Sequence, residues 1–175
     1  THYMEVINNL RTSNNDHTIV FRFKTTQQTG FLFGMGSDAS KDDGSNMLFG
    51  LQNGKLRIVF RSNTNGALKG GFTSNLADGQ WHTVALSLKP SVGMGNGTNV
   101  HLVIDGGADL YPASWANSHI GGLNQKNTLE YTIFEVAKGA LTSHTGLGAN
   151  AGFNGEIDFI SLVNQSYTVE QLQAI

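Results

Sequence analysis

Along most of this chain apolar and polar residues alternate one for one, the period of antiparallel strands with one buried face. In Thr18-Ile-Val-Phe-Arg-Phe-Lys24, residues Ile19, Phe21 and Phe23 fall on one side and Arg22 and Lys24 on the other, because successive strand side chains point oppositely. Leu56, Ile58 and Phe60 alternate in the same way with Lys55, Arg57, Val59 and Arg61. His82, Val84, Leu86 and Leu88 alternate with Trp81, Thr83, Ala85 and Ser87, and Val100, Leu102 and Ile104 with His101 and Val103. Each of these segments predicts a half-buried strand.

Asn-Gly or Asp-Gly stands at 43–44, 53–54, 65–66, 78–79, 96–97, 105–106 and 154–155. These dipeptides supply the positive φ of tight hairpins, so their recurrence predicts many short strands. The single helix signal is at the tail, where Thr168-Val-Glu-Gln171 has the spacing of a capping box ahead of Leu172 and Ile175. From Gly106 to Leu129 the periodicity is weak, which predicts long loops crossing the fold. There is no internal repeat. A run of strands with almost no helix predicts an all-β fold: a two-sheet antiparallel β-sandwich, or jelly roll, with a short C-terminal helix. The 175 residues suffice for one hydrophobic core, so a single domain over 1–175 is expected. Beginning at Thr1, the chain reads as a module of a larger secreted protein.

Composition narrows the partners. Only 14% of residues are charged, against about 25% in ordinary globular proteins, so the surface is polar without being charged. Its abundant Gly, Asn, Ser and Thr suit either sugar hydrogen bonding or turn building, and composition alone leaves both open. A net charge of −2 with no Lys/Arg run argues against a nucleic-acid or membrane-surface partner. With no Cys there is no disulfide framework, thiolate zinc site or cysteine nucleophile, and a bacterial exoprotein is favoured over a secreted eukaryotic one. No stretch approaches the ~20 apolar residues of a membrane span. Two sequons, at Asn96 and Asn164, matter only in a eukaryotic host.

The best enzymatic candidate is Gly155-Glu-Ile-Asp-Phe-Ile160, which resembles the catalytic strand of laminarinase-like glycosidases. Retaining hydrolysis needs two carboxyls about 5–5.5 Å apart. The second Glu that closes that motif is absent, Ile160 and Ser161 standing in its place, so Glu156 and Asp158 are expected to face solvent or pair locally. The six histidines (2, 17, 82, 101, 119 and 144) show no metal-ligand spacing. Asp38, Asp42 and Asp43 lie in a Gly/Ser-rich loop; a solvated acidic loop is the expectation, with calcium the alternative it leaves open and no other cofactor implied. Arg57 and Arg61 are four apart on one strand, hence on one side, where they present a cationic patch suited to a carboxylate. Pairing of Arg57 with Glu130 or Asp158 is the competing reading.

The order of features from Ile19 to Leu172 resembles the laminin G-like lectin modules that accompany sialidases, the sialic-acid-binding family 40 carbohydrate-binding modules. Besides the strands already named, the landmarks are Gly30-Phe-Leu-Phe-Gly-Met-Gly-Ser-Asp38, Asp78-Gly-Gln-Trp-His-Thr-Val84, Val100-His-Leu-Val-Ile-Asp-Gly106 and Gly152-Phe-Asn-Gly-Glu-Ile-Asp-Phe-Ile-Ser-Leu162. The resemblance implies that Arg61, at the end of a strand just before a loop, grips a sialic acid carboxylate. It implies a second cation after Thr132-Ile-Phe-Glu-Val-Ala-Lys138, where this chain has Lys138, and an acidic residue for the ligand amide, for which Glu135 stands in. Asn63 and an aromatic, Phe72 or Tyr111, would then meet the glycerol and acetamido groups. The stretch from Gly139 to Asn150 is a longer rim insertion than the family's.

Two functions from different classes follow. The leading one is a non-catalytic, extracellular lectin module that tethers an appended sialidase to sialylated glycans without a metal. The alternative is a laminin G-type adhesion or interaction domain that binds a protein or another glycan with calcium at its rim.

Overall fold

The computed structural model describes residues 10–11, 16–36, 46–61, 66–72, 75–89, 100–110, 130–131, 133–136 and 152–175. For 10–11, 35–36, 46–47, 59–61, 66–72, 130–131 and 133–135 it describes the backbone. The strands among them are β1 (Leu10–Arg11), β2 (His17–Thr25), β3 (Gly30–Gly36), β4 (Asn46–Gln52), β5 (Lys55–Arg61), β6 (Gly66–Phe72), β7 (Trp81–Leu88), β8 (Val100–Ile104), β9 (Glu130–Tyr131), β10 (Ile133–Val136) and β11 (Gly155–Val163), followed by helix α1 (Val169–Gln173). They pair antiparallel into a five-stranded sheet in the order β10-β3-β4-β5-β6, a four-stranded sheet in the order β11-β2-β7-β8, and a short β1-β9 ribbon. The two larger sheets make the predicted β-sandwich.

The apolar member of each alternation turns inward. Ile19, Phe21 and Phe23 of β2 and Val84, Leu86 and Leu88 of β7 meet Leu32, Phe33, Phe49, Leu51, Leu56 and Ile58 of the opposite sheet in one cluster. Its centre is aromatic. Phe33 and Phe49 stack with ring centres 4.6 Å apart, and Phe21 meets both edge-on at 4.9 and 5.2 Å, which are favoured ring geometries.

Turn chemistry sets the register. Asn53 (φ 52°) and Gly54 (φ 74°) form the two-residue link between β4 and β5, the left-handed pair that a hairpin of this twist demands. A Cβ at Gly54 would collide with Asn75 Oδ1. Asp105 (φ 51°) and Gly106 (φ 66°) turn the chain after β8, with Gly107 N donating to Ile104 O at 2.9 Å. The tail helix carries its capping box: Thr168 Oγ1 accepts from Gln171 N at 3.3 Å, and Gln171 Oε1 accepts from Thr168 N at 2.9 Å.

One expectation is corrected. β2 and β7 are covered on both faces where the tail crosses them, Thr18 being 0% and Ser87 1% exposed, and are half-buried beyond it at Arg22, Lys24, Trp81 and Thr83. The C-terminal segment lies across their outer side. Leu172 of α1, with Tyr167 and Val169, packs on Val20, Ala85 and Val103, and Thr18 Oγ1 donates to Gln165 O at 2.7 Å. Of the region from Gly106 to Leu129, residues beyond 110 lie outside the described residues.

Phe49 is fully buried between the two other rings, so Phe49→Ala leaves a cavity at the point where the sheets meet. The expected loss is about 3–5 kcal/mol of unfolding free energy, read from urea denaturation.

Candidate functional site

Arg57 lies on the side of the five-stranded sheet opposite its core residues. The register puts it in one row with Gly50 of β4 and Gly70 of β6, and Gly50 in turn pairs Phe31. Neither cross-strand neighbour of Arg57 therefore carries a side chain beyond hydrogen. The guanidinium is half-buried. Its Nη1 donates to Gln52 Oε1, and its Nε is buried with no hydrogen-bond partner among the described residues. The expected alternative, a pair with Glu130 or Asp158, is overturned for Asp158, which lies on the other sheet and bonds Arg22. An arginine whose fork is held by a neutral amide keeps its charge available to an anion.

Arg61 is the last position of β5, of the same parity as Arg57, and its backbone pairs Asn46 and Gly66. At roughly 3.3 Å per strand residue, the four-residue step from Arg57 to Arg61 puts the two backbones about 13 Å apart. Glu135 of β10 pairs Gly34, in the row that continues through Leu48 to Val59 between the two arginines. Three strand spacings, about 14 Å in all, separate it from β5. Phe72 pairs Leu56, a core residue. Asn63, Tyr111 and Lys138 lie outside the described residues, as do Asp38, Asp42, Asp43 and the stretch from Gly139 to Asn150. The structure thus describes the Arg57 side chain, and of Arg61 and Glu135 it gives the backbone places, at the end of β5 and on β10 of the same sheet.

The carboxylates of the laminarinase-like segment are engaged. Glu156 Oε1 lies 2.6 Å from Lys24 Nζ and Asp158 Oδ2 3.1 Å from Arg22 Nη1, across the β2–β11 pair. Both cations also sit over the ring of Trp81, at 5.0 and 5.1 Å from its centre. This is the local pairing that the missing second Glu led us to expect, with Trp81 an unforeseen third party. Phe159, paired with Arg22 past a bulge, is 38% exposed beside it.

A second polar cluster closes one end of the four-stranded sheet. His82 Nδ1 is 2.7 Å from Asp105 Oδ2 and its Nε2 3.0 Å from Asp78 Oδ1. A neutral imidazole has one N–H, so carboxylates at both nitrogens call for the doubly protonated ring. Asp78 Oδ1 also accepts from Gln80 N at 2.8 Å and Asp105 Oδ1 from Thr83 N at 2.7 Å, so the ring ties two turns together. A cavity of about 410 Å³ opens beside the cluster. Among the described residues, no group of three or more His, Cys, Asp or Glu has the geometry to hold a metal ion.

A family model described as laminin G domain matches residues 23–165. The chain belongs to the laminin G domain family. Similar solved structures include the CBM40 of Ruminococcus gnavus IT-sialidase bound to α2,3-sialyllactose, with a TM-score of 0.62 at 15% identity over 93% of this chain and 83% of that one. Mouse laminin α1 domains LG4-5 give 0.58 at 15% identity over 93% of this chain, which spans 38% of that longer one. The SAP-like pentraxin of Limulus polyphemus gives 0.54 at 14% identity, covering 91% and 68%. At such identities the likeness is one of fold. No curated protein sequence matches.

In this laminin G domain the His82 clamp is the polar feature that sequence reasoning passed over. Its signal was Asp78-Gly-Gln-Trp-His82, which sets the ring one strand residue past a turn whose Asp reaches back. Burial alone would push the imidazole's pKa down, but the hydrogen bonds to Asp105 and Asp78, with their charges, outweigh it and raise His82 above its ordinary 6.5. Asp78 moves below its ordinary 3.8, held by the Gln80 N–H first and His82 second. A raised histidine stabilises fully below 6.5 and loses that contribution as pH climbs through the folded value; a lowered aspartate stabilises above 3.8 and loses it on acidification. Urea midpoints should therefore be highest between these two values and fall on either side, and His82→Gln should flatten the alkaline limb. An unchanged alkaline limb in the variant would show that the clamp does not couple to folding.

Proposed function

We propose that this laminin G domain is a non-catalytic, extracellular carbohydrate-binding module that recognises an acidic sugar, a terminal sialic acid, on the outer face of the five-stranded sheet. The observation that carries the reading is Arg57: a half-buried arginine between two glycines, with a buried Nε that has no partner among the described residues and no acid bonded to it there. Arg61 is of the same parity on the same strand. A carboxylate bound there would replace water on a fork-shaped donor, the geometry that favours arginine over lysine.

In this reading Arg61 and Lys138 neutralise the carboxylate, with Arg57 four residues back along β5, while Asn63, Glu135 and an aromatic meet the glycerol and acetamido groups; Tyr111 is preferred to Phe72, whose backbone pairs the core residue Leu56. No metal is needed. The module serves to hold an appended sialidase on sialylated glycans, and the fold it shares with a sialidase CBM40 whose structure contains α2,3-sialyllactose supports that assignment. A single sugar buries little area and trades hydration for protein contacts, so affinity is weak and retention comes from repeated ligands. The alternative, a laminin G interaction domain with calcium at its rim, is supported by the family match itself.

Titration with 3′- and 6′-sialyllactose against lactose decides between them. Both sialosides should bind more tightly than lactose, and Arg61→Ala, with its thermal unfolding unchanged, should weaken them by roughly 10- to 100-fold, the worth of hydrogen bonds to a charged group. Equal responses to sialosides and lactose would overturn the sialic acid reading. Binding of a sulfated glycan or protein that is abolished by a chelator would establish the calcium-dependent alternative.

A further inference from the structure

We propose that the groove between the C-terminal segment and the β7–β8 pair is a second saccharide site, for a neutral hexopyranose. It lies on the other sheet from Arg57 and stands independently of the acidic-sugar reading. Its volume is about 470 Å³, within the roughly 300–1,000 Å³ of small-ligand pockets, and its walls are Ser87, Lys89, His101, Ser166, Tyr167 and Glu170 with the adjoining start of α1.

The walls are fixed by interactions already made. Ser87 and His101 pair across β7 and β8. Tyr167 N donates to Ser87 Oγ at 2.8 Å, Ser166 Oγ donates to Asp16 Oδ2 at 3.3 Å, and Tyr167 packs on the cluster of Val20, Ala85, Val103 and Leu172. Asp109 Oδ2 holds His101 Nδ1 at 2.8 Å while its Oδ1 accepts from Leu102 N at 3.0 Å. That bond sets the ring's orientation and assigns Nε2 to whatever fills the groove. The helix end offers little, since its capping box already uses the Thr168 and Gln171 amides. Recognition falls to side chains.

Their chemistry is balanced rather than charged: one ammonium from Lys89, one carboxylate from Glu170, an imidazole, the hydroxyls of Ser87, Ser166 and Thr168, and the ring and hydroxyl of Tyr167. Glu170 titrates below its ordinary 4.5, through its own backbone N–H first, then the Thr168 hydroxyl and the nearby His101, so it is a carboxylate acceptor at neutral pH. An anionic ligand would meet Glu170; a cationic one would meet Lys89. A neutral sugar uses both signs, its hydroxyls donating to the carboxylate and accepting from the ammonium while its C–H face lies on the tyrosine.

The test is amide chemical-shift mapping of the ¹⁵N-labelled chain with methyl β-galactoside, methyl β-glucoside and methyl α-mannoside, taken into the millimolar range. Saturable shifts are expected at Lys89, His101 and residues 166–170 with at least one glycoside. Glu170→Gln and Lys89→Ala, both at exposed positions, should each weaken that binding by about ten-fold. No saturable shift with any of the three, or shifts that both variants retain at full affinity, would overturn the proposal. Shifts of the five-stranded sheet with sialyllactose report the other face, so the two readings fail separately.

Discussion

Three phenylalanine rings hold the two sheets at a fixed spacing and offset, and both outer faces inherit their geometry from that contact. Phe21 comes from β2 of the four-stranded sheet, Phe33 and Phe49 from β3 and β4 of the other, and all three are buried. Because strand side chains alternate, fixing Phe49 inward fixes Gly50 outward, and the β4–β5 register then sets Arg57 next to Gly50. A slip of one residue would carry Arg57 into the core and Ile58 out of it. The burial of Ile58 and Phe49 therefore stabilises the placement of the arginine as firmly as it stabilises the sheet.

The two outer faces treat charge differently. On the four-stranded sheet each cation of β2 has an acid on β11 and shares Trp81, so the surface is neutralised internally. These pairs are exposed, Arg22 by 41% and Asp158 by 48%, and such pairs contribute roughly 0–1 kcal/mol. Their effect is to leave that patch without a free charge. On the five-stranded sheet Arg57 is met by a neutral amide and by glycines. In a chain with so few charges, a partly buried arginine without an acid bonded to it among the described residues is costly for stability alone. Binding an anion would offset that cost, which is the support this face lends to the acidic-sugar proposal.

Much of this was legible in the sequence, and the limits have physical causes. Alternation gave the strands at Thr18–Lys24, Lys55–Arg61, Trp81–Leu88 and Val100–Ile104, because a period of two survives any tertiary context that buries one face. It misjudged Thr18, Val20, Ala85 and Ser87, since nothing local says that residues 165–172 fold back over them; that covering is a contact between positions about 147 apart. Hydroxyls at 18 and 87 read as solvent-facing, yet they are buried because each finds a polar partner on the returning tail. The pairing of Asp158 was foreseen as local but its partner, Arg22, required knowing that β11 lies beside β2. The equal parity of Arg57 and Arg61 along β5 is legible in their spacing alone. Whether their neighbours were acids or glycines needed the register of β4 and β6.

A rigid core between two polar faces also determines how such a module can work. Substitutions on the two outer faces share no side-chain partner among the described residues, and effects at sites so separated add rather than couple. The tail that covers β2 and β7 builds the groove beside His101 without touching the row of Arg57, so either face can change its chemistry while the phenylalanine contact holds the fold. For the weak binding proposed above this independence matters: the two proposed sites, on one body, would present their ligands at a constant separation. Gain from engaging both then depends on the spacing of sugars on the target, not on any conformational change in the domain.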